Sequence, residues 1–255
     1  MEYLKYEKRG ISGSSLKMVA VLTMLIDHVA AVLIVRVLIT RGILSMDINN
    51  GRRTMMLLAN DSSGLLDLYQ MMRSIGRIAF PIYCFLLVEG FTRTKNIYKY
   101  LLRMFLLALI SEIPFNLAFS GGIFYPEYQN VMFTLFLGLL AMYFSQWVEA
   151  GTKKKRIRYA LILSIWAVGM IAAEGLSSDY GAKGMVCIGV LYVLRHVKEM
   201  QLLGGALSFV WELPAPLAFV FIAFYSGKKG RPMKFFFYSF YPLHLLILYW
   251  ISVGI

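Results

Sequence analysis

Asp27 and His28 stand side by side in the middle of MVAVLTMLIDHVAAVLIV, an otherwise apolar stretch. A lone polar group there would face lipid at a cost of several kcal/mol, so the pair is expected to face a protein interior, for chemistry or for a structural interhelical hydrogen bond. A histidine acts as a general base near neutral pH, and an adjacent carboxylate can orient or charge it. Lys17 precedes His28 by eleven positions. At about 100° per residue the two share a helix face, about 16 Å apart along the axis. A substrate with a phosphorylated end and a reactive group on a long arm fits that spacing, and coenzyme A is one such molecule. Taken alone, Lys17 is a snorkelling flank residue.

Two further constellations carry ionisable groups. In RSIGRIAFPIYCFLLVEG, residues 73 to 90, Arg73 and Arg77 are four apart and share a face, Pro81 perturbs the helix one turn later, and Glu89 follows. An arginine stays charged, so within a membrane it must meet a carboxylate, carbonyls, water or a phosphate. An internal ion pair and a substrate role satisfy that need equally. Arg103 and Glu112 in KYLLRMFLLALISEIPFNLAF pose the same choice and lean structural. In FFFYSFYPLHLLIL, residues 235 to 248, Tyr241 precedes His244 by three and lies on its face. Asn130 with Thr134, and Asp179 with Tyr180, either line an outer vestibule or cap helices. Cys84 and Cys187 lie far apart in apolar runs, so neither a metal cluster nor a CxxC motif is available and no metal is expected. No Walker lysine loop, GxGxxG, GxSxG or HExxH occurs.

The elements that must position these groups follow from composition. Of 255 residues, 59% are hydrophobic and 16% charged, against about 25% charged in ordinary globular chains. Disorder, a collagen-like fibre and a disulfide scaffold are excluded. The chain reads as all-α, a polytopic integral membrane protein forming a bundle of eight or nine transmembrane helices in one membrane domain, residues 1–255. A span needs about 20 mainly apolar residues. Candidates run over 16–39, 68–91, 98–119, 131–148, 159–173, 182–197 and 233–253. The stretch 201–225 is one kinked helix or two short ones broken at Glu212-Leu213-Pro214-Ala215-Pro216. The polar stretch 40–67 is long for a loop and has room for a small folded or re-entrant element.

The net charge of +12 would suggest nucleic acid on a soluble domain. Here it sits in short loops, which orient a bundle instead. An inside amino terminus puts Lys5/Lys8/Arg9, Arg93/Lys95/Lys99, the 151–158 loop with Lys153 to Arg158, and Arg195/Lys198 on the cytoplasmic side, and the 40–67 loop outside. The fifth cluster, Lys228 to Lys234, joins them only if 201–225 crosses twice. The expected location is the bacterial inner membrane, multi-pass, with a cytoplasmic amino terminus, and the expected surroundings are a lipid bilayer and no nucleic acid.

LKMVAVLTMLIDH at 16–28, RSIGRIAFPIYCFLLVEG at 73–90, Tyr100 with Arg103, SEIPFNLAF at 111–119, NVMFTL at 130–135 and FYSFYPLHLL at 237–246 together resemble the TraX family. These are membrane proteins associated with acetylation of conjugative pilin and related to the acyltransferase-3 superfamily. That superfamily's signature, a basic residue and a histidine with ten residues between, is similar to Lys17 and His28. The resemblance implies an acetyl-CoA-dependent acyltransferase, with a peptide amine, small amine or hydroxyl compound as acceptor. It makes His28 the catalytic base, oriented by Asp27 or another acid, with Lys17 its partner towards the coenzyme. Arg77 is expected to stabilise the oxyanion or hold the acceptor, and Arg73, Glu89, Arg103, Glu112, Asn130, Asp179, Tyr241 and His244 complete the expected binding set. A proton-coupled permease using Asp27, His28, Glu89 and Glu112 as a relay is the competing class, and a non-catalytic pilus assembly protein is the third.

Overall fold

The structure is a computed structural model, and it describes residues 10–49, 52–59 and 61–255. Helix α1 (Gly13–Val29) starts at Ser12, whose hydroxyl accepts from the Ser15 amide. It runs without a break through a π-helical turn (Ala30–Ile34) into α2 (Val35–Thr40). Strands β1 (Leu44–Asn49) and β2 (Arg52–Leu57) pair antiparallel, Leu44 opposite Leu57. The polar 40–67 stretch therefore carries a small folded element, a hairpin anchored where Leu38, Ile43 and Leu44 pack together against Leu65, Leu66 and Tyr69.

Helices α3 (Leu65–Gly76) and α4 (Ala79–Arg93) occupy the second expected span. The break between them has a local cause. Pro81 lies in the first turn of α4, where its missing N–H costs nothing, but its ring excludes a regular helical carbonyl at residue 77. The remaining helices are α5 (Ile97–Ser120), α6 (Val131–Gly151), α7 (Lys155–Gly175), α8 (Gly181–Val193), α9 (Lys198–Ser208), α10 (Ala218–Ala223) and α11 (Lys234–Val253). Asn96 and Asn130 cap α5 and α6 with their side chains, and Gly121 closes α5 in the left-handed conformation. Pro114 and Pro242 sit inside α5 and α11. Packed membrane helices tolerate such prolines because neighbours re-satisfy the freed carbonyls.

The all-α polytopic membrane architecture is as the composition predicts, with a different count of long spans. Among the described residues, six helices are long and apolar enough to cross a membrane: Gly13–Thr40, Leu65–Arg93, Ile97–Ser120, Val131–Gly151, Lys155–Gly175 and Lys234–Val253. The other expected crossings are short. Helix α8 has 13 residues, and 201–225 is split into α9 and α10 by two 3-10 turns around Pro214 and Pro216.

Helix α4 lies at the centre, packed against α1, α6, α8 and α10, while α11 and α5 close the bundle beside α1. One apolar core runs through these helices and includes Leu16, Ile82, Leu139, Ile188 and Leu245. Helix α7 is peripheral, burying only Ala173. The start of α1 is clamped by the segment after α10: the Gly13 and Ser14 amides donate to the Lys228 and Lys229 carbonyls at 2.7 and 3.1 Å. Arg93, at the end of α4, donates to the Gly227 carbonyl at 2.5 Å. The Lys228–Lys234 cluster thus shares an end of the bundle with the start of α1 and the end of α4, because α9 and α10 run in and back.

Candidate functional site

His28, from the last turn of α1, meets His244, from the middle of α11. Nδ1 of His28 lies 2.6 Å from Nε2 of His244, with the two rings nearly parallel. Nδ1 of His244 lies 2.7 Å from the Phe240 carbonyl oxygen. A carbonyl only accepts, so Nδ1 of His244 carries the hydrogen and Nε2 of the neutral ring must accept. His28 then donates from Nδ1, and its Nε2 is left with the lone pair. Among the described residues that Nε2 makes no hydrogen bond. This chain of bonds fixes the His28 tautomer and leaves the Nε2 lone pair available to accept a hydrogen. Phe119 and Tyr241 complete the surroundings, their ring centroids 5.7 and 6.3 Å from that of His28.

Asp27 does not reach the imidazole. Its carboxylate accepts from Arg73 of α3 at 2.5 Å, and its other oxygen is buried with no hydrogen-bond partner. Gly76 makes this approach possible, because a Cβ at that position would overlap the Asp27 carboxyl. The glycine in RSIGR is therefore a packing requirement of the ion pair. Arg77, at the break between α3 and α4, pairs with Glu212 at 2.7 Å and lies within electrostatic range of Tyr180. Asp27, Arg73, Arg77, Asp179 and Glu212 lie within electrostatic range of one another, and Arg73 is also within range of His28. A cluster of charged side chains thus adjoins the imidazole pair.

Asp179 lies in the loop before α8, where the Tyr128 hydroxyl donates to its carboxylate at 2.6 Å. Burial pushes the Asp179 carboxyl above the ordinary carboxylate range, opposed by Tyr128 and the two arginines. Burial and the Asp179 charge push the Tyr128 hydroxyl up as well. The Thr134 hydroxyl donates to the Asp179 backbone carbonyl.

The other expected residues are distributed elsewhere. Asn130 caps α6 and donates to Glu112 at 2.5 Å and to the Ala108 carbonyl at 3.0 Å, tying α5 to α6. Glu89 pairs with Arg93 at 2.8 Å on the last turn of α4. Arg103 is exposed on α5. Lys17 lies in the first turns of α1, its Nζ 5.5 Å from the Phe237 ring centre and within electrostatic range of Lys229 and Lys234. Sequence reasoning missed Glu212, Tyr128, Phe119 and Phe240 as participants. Glu212 left one signal, an acid beside a double-proline break in an apolar stretch. Phe119 and Phe240 left none, because an aromatic in a span reads as core or lipid contact. Among the described residues no group of three or more His, Cys, Asp or Glu side chains is placed to hold a metal ion.

A many-helix membrane bundle with a tautomer-locked imidazole pair and buried ion pairs at depth defines the class: a multi-pass membrane protein with a polar interior. Residues 12–252 match the sequence model of the TraX family, described as TraX protein. The chain belongs to that family. It is also similar to the "probable fimbrial assembly protein FimC, serogroup H1" of Dichelobacter nodosus, 29% identical over 204 residues covering 71% of this chain and 82% of the relative. No solved structure matches it.

Proposed function

We propose that the protein is a membrane acetyltransferase of the bacterial inner membrane, moving an acetyl group from acetyl-CoA to an amine or hydroxyl acceptor. The observation that carries this reading is the His28–His244 pair, which fixes the His28 tautomer and leaves its Nε2 lone pair available. Membership of the TraX family, with its association with pilin acetylation, supports the chemistry and favours an amine. Similarity to a protein named for fimbrial assembly favours a pilus-related acceptor. The amino terminus is cytoplasmic in this reading, as the basic loops favour.

His28 Nε2 takes the proton as the acceptor attacks the thioester carbonyl. The new C–N or C–O bond forms as the C–S bond breaks, and the proton passes to the departing thiolate. His244 holds the His28 ring and shares the charge that develops on it. Arg73 supplies positive field near the developing oxyanion. Arg77, tied to Glu212, fixes the break between α3 and α4 beside this charge cluster. The anionic end of acetyl-CoA fits the opposite end of α1, where Lys17, on the helix that carries His28, lies within electrostatic range of Lys229 and Lys234.

The test is to incubate the purified protein with labelled acetyl-CoA and a panel of amines and alcohols, following both CoA release and label in product. Transfer of label supports the reading. Uptake of solute into proteoliposomes without CoA, and with no transfer, would favour a permease instead.

A further inference from the structure

Beyond His28 on the same helix lies a pocket of about 350 Å³, bounded by Val32, Val35 and Arg36, by Phe119 and Ser120 at the end of α5, and by Tyr249 of α11. That volume falls at the small end of the range for small-molecule sites. Phe119 belongs both to this pocket and to the surroundings of His28. Phe119 thus stands between them as a shared neighbour. Arg36 is exposed at the pocket and makes no ion pair among the described residues.

The π-helical turn at Ala30–Ile34 sets the alignment. A π turn takes up one extra residue, so the eight residues from His28 to Arg36 rotate the chain about as far as seven do in a regular helix, two whole turns. Arg36 thereby falls on the His28 stripe, about 11 Å further along the axis. A regular helix would turn it away by about 80°. The helix irregularity, the pocket and the cation all address one line through the protein, on the side of His28 away from Lys17.

We propose that this pocket receives the acceptor, an amphiphile with an apolar body and an anionic group. Its amine reaches Nε2 of His28 past Phe119, its body lies against Val32 and Val35, and its anion pairs with Arg36. The inference rests on the acetyltransferase reading and assigns the acceptor side of that site. Donor and acceptor then approach His28 from opposite ends of the helix. The amine nitrogen loses a proton to His28 and forms the amide as the thioester C–S bond breaks, the thiolate leaving with that proton.

The experiment compares ω-aminooctanoate with octylamine as acceptors of label from acetyl-CoA, in the full-length protein in nanodiscs. The carboxylate is expected to raise kcat/KM roughly tenfold, the scale of one charge-assisted hydrogen bond. Arg36→Gln is expected to bring the ratio of the two amines close to one. Ala31→Phe, which fills the pocket from another position, is expected to raise KM for the amine. An Arg36→Gln ratio equal to that of the wild type overturns the pocket assignment, and so does a rise in KM for acetyl-CoA rather than for the amine in Ala31→Phe. A wild-type protein that acetylates neither amine, nor any member of the broader panel, overturns the acetyltransferase reading and this inference together.

Discussion

His244→Leu removes the acceptor that holds the His28 N–H while keeping an apolar side chain of similar size. In the structure that acceptor lies 2.6 Å from Nδ1 of His28, and the relay ends on the Phe240 carbonyl. A neutral hydrogen bond contributes about 0.5–1.5 kcal/mol net, and a buried N–H left without an acceptor costs about 1–3 kcal/mol. His28 recovers that loss by turning its ring or exchanging tautomer, either of which withdraws Nε2 from the reacting proton. At about 1.36 kcal/mol per tenfold in rate, kcat is expected to fall about 10- to 100-fold, with KM for acetyl-CoA little changed. His244→Gln places an amide oxygen near the position of the lost nitrogen and is expected to restore part of the rate. The assay is CoA release by purified variants, corrected for the amount of folded protein recovered from membranes. Full activity in His244→Leu, or no difference between the Leu and Gln variants, would refute the relay.

Three further outcomes follow from the same geometry. Asp27→Ala strands Arg73 without its partner and is expected to cost about 3 kcal/mol, the low end for a broken buried pair because both side chains keep some solvent contact. Thermal unfolding in detergent checks this, and Asp27→Leu combined with Arg73→Met should recover most of the loss. Gly76→Ala drives a methyl into the Asp27 carboxyl and is expected to cost about 1–3 kcal/mol, whereas Gly175→Ala, with open space around it, serves as a near-neutral comparison. The Asp179 carboxyl is raised in the folded state above its ordinary 3.8, so its contribution is most favourable at low pH and is lost as pH rises from about 3.8 through the raised value. Asp179→Asn should therefore gain melting temperature relative to the wild type across that window, and a constant difference would count against it.

Long apolar runs and basic loops made the helices, their order and the membrane setting legible, because hydrocarbon thickness leaves few alternatives. The 201–225 stretch was harder. Its composition permits a kinked span, and only the packing of α9 and α10 against α4 and α8 shows two short helices running in and back. The residues of the site were legible one at a time, but their partners were not. Adjacency in sequence suggested Asp27 as the orienter of His28, yet neighbours on a helix point about 100° apart. Asp27 therefore faces α3 and Arg73 while His28 faces α11. His244, 216 positions away, could be matched to His28 only by the fold. The π turn after His28 is equally silent in AAVLI, since it depends on backbone bonding rather than on residue type.

Label transfer from acetyl-CoA to an amine should be measured for the wild type and for His28→Ala, each brought to the same amount of folded protein in membranes. Transfer is expected from the wild type and none above background from His28→Ala, with acetyl-CoA still bound. Transfer by His28→Ala at the wild-type rate would rule out His28 as the base.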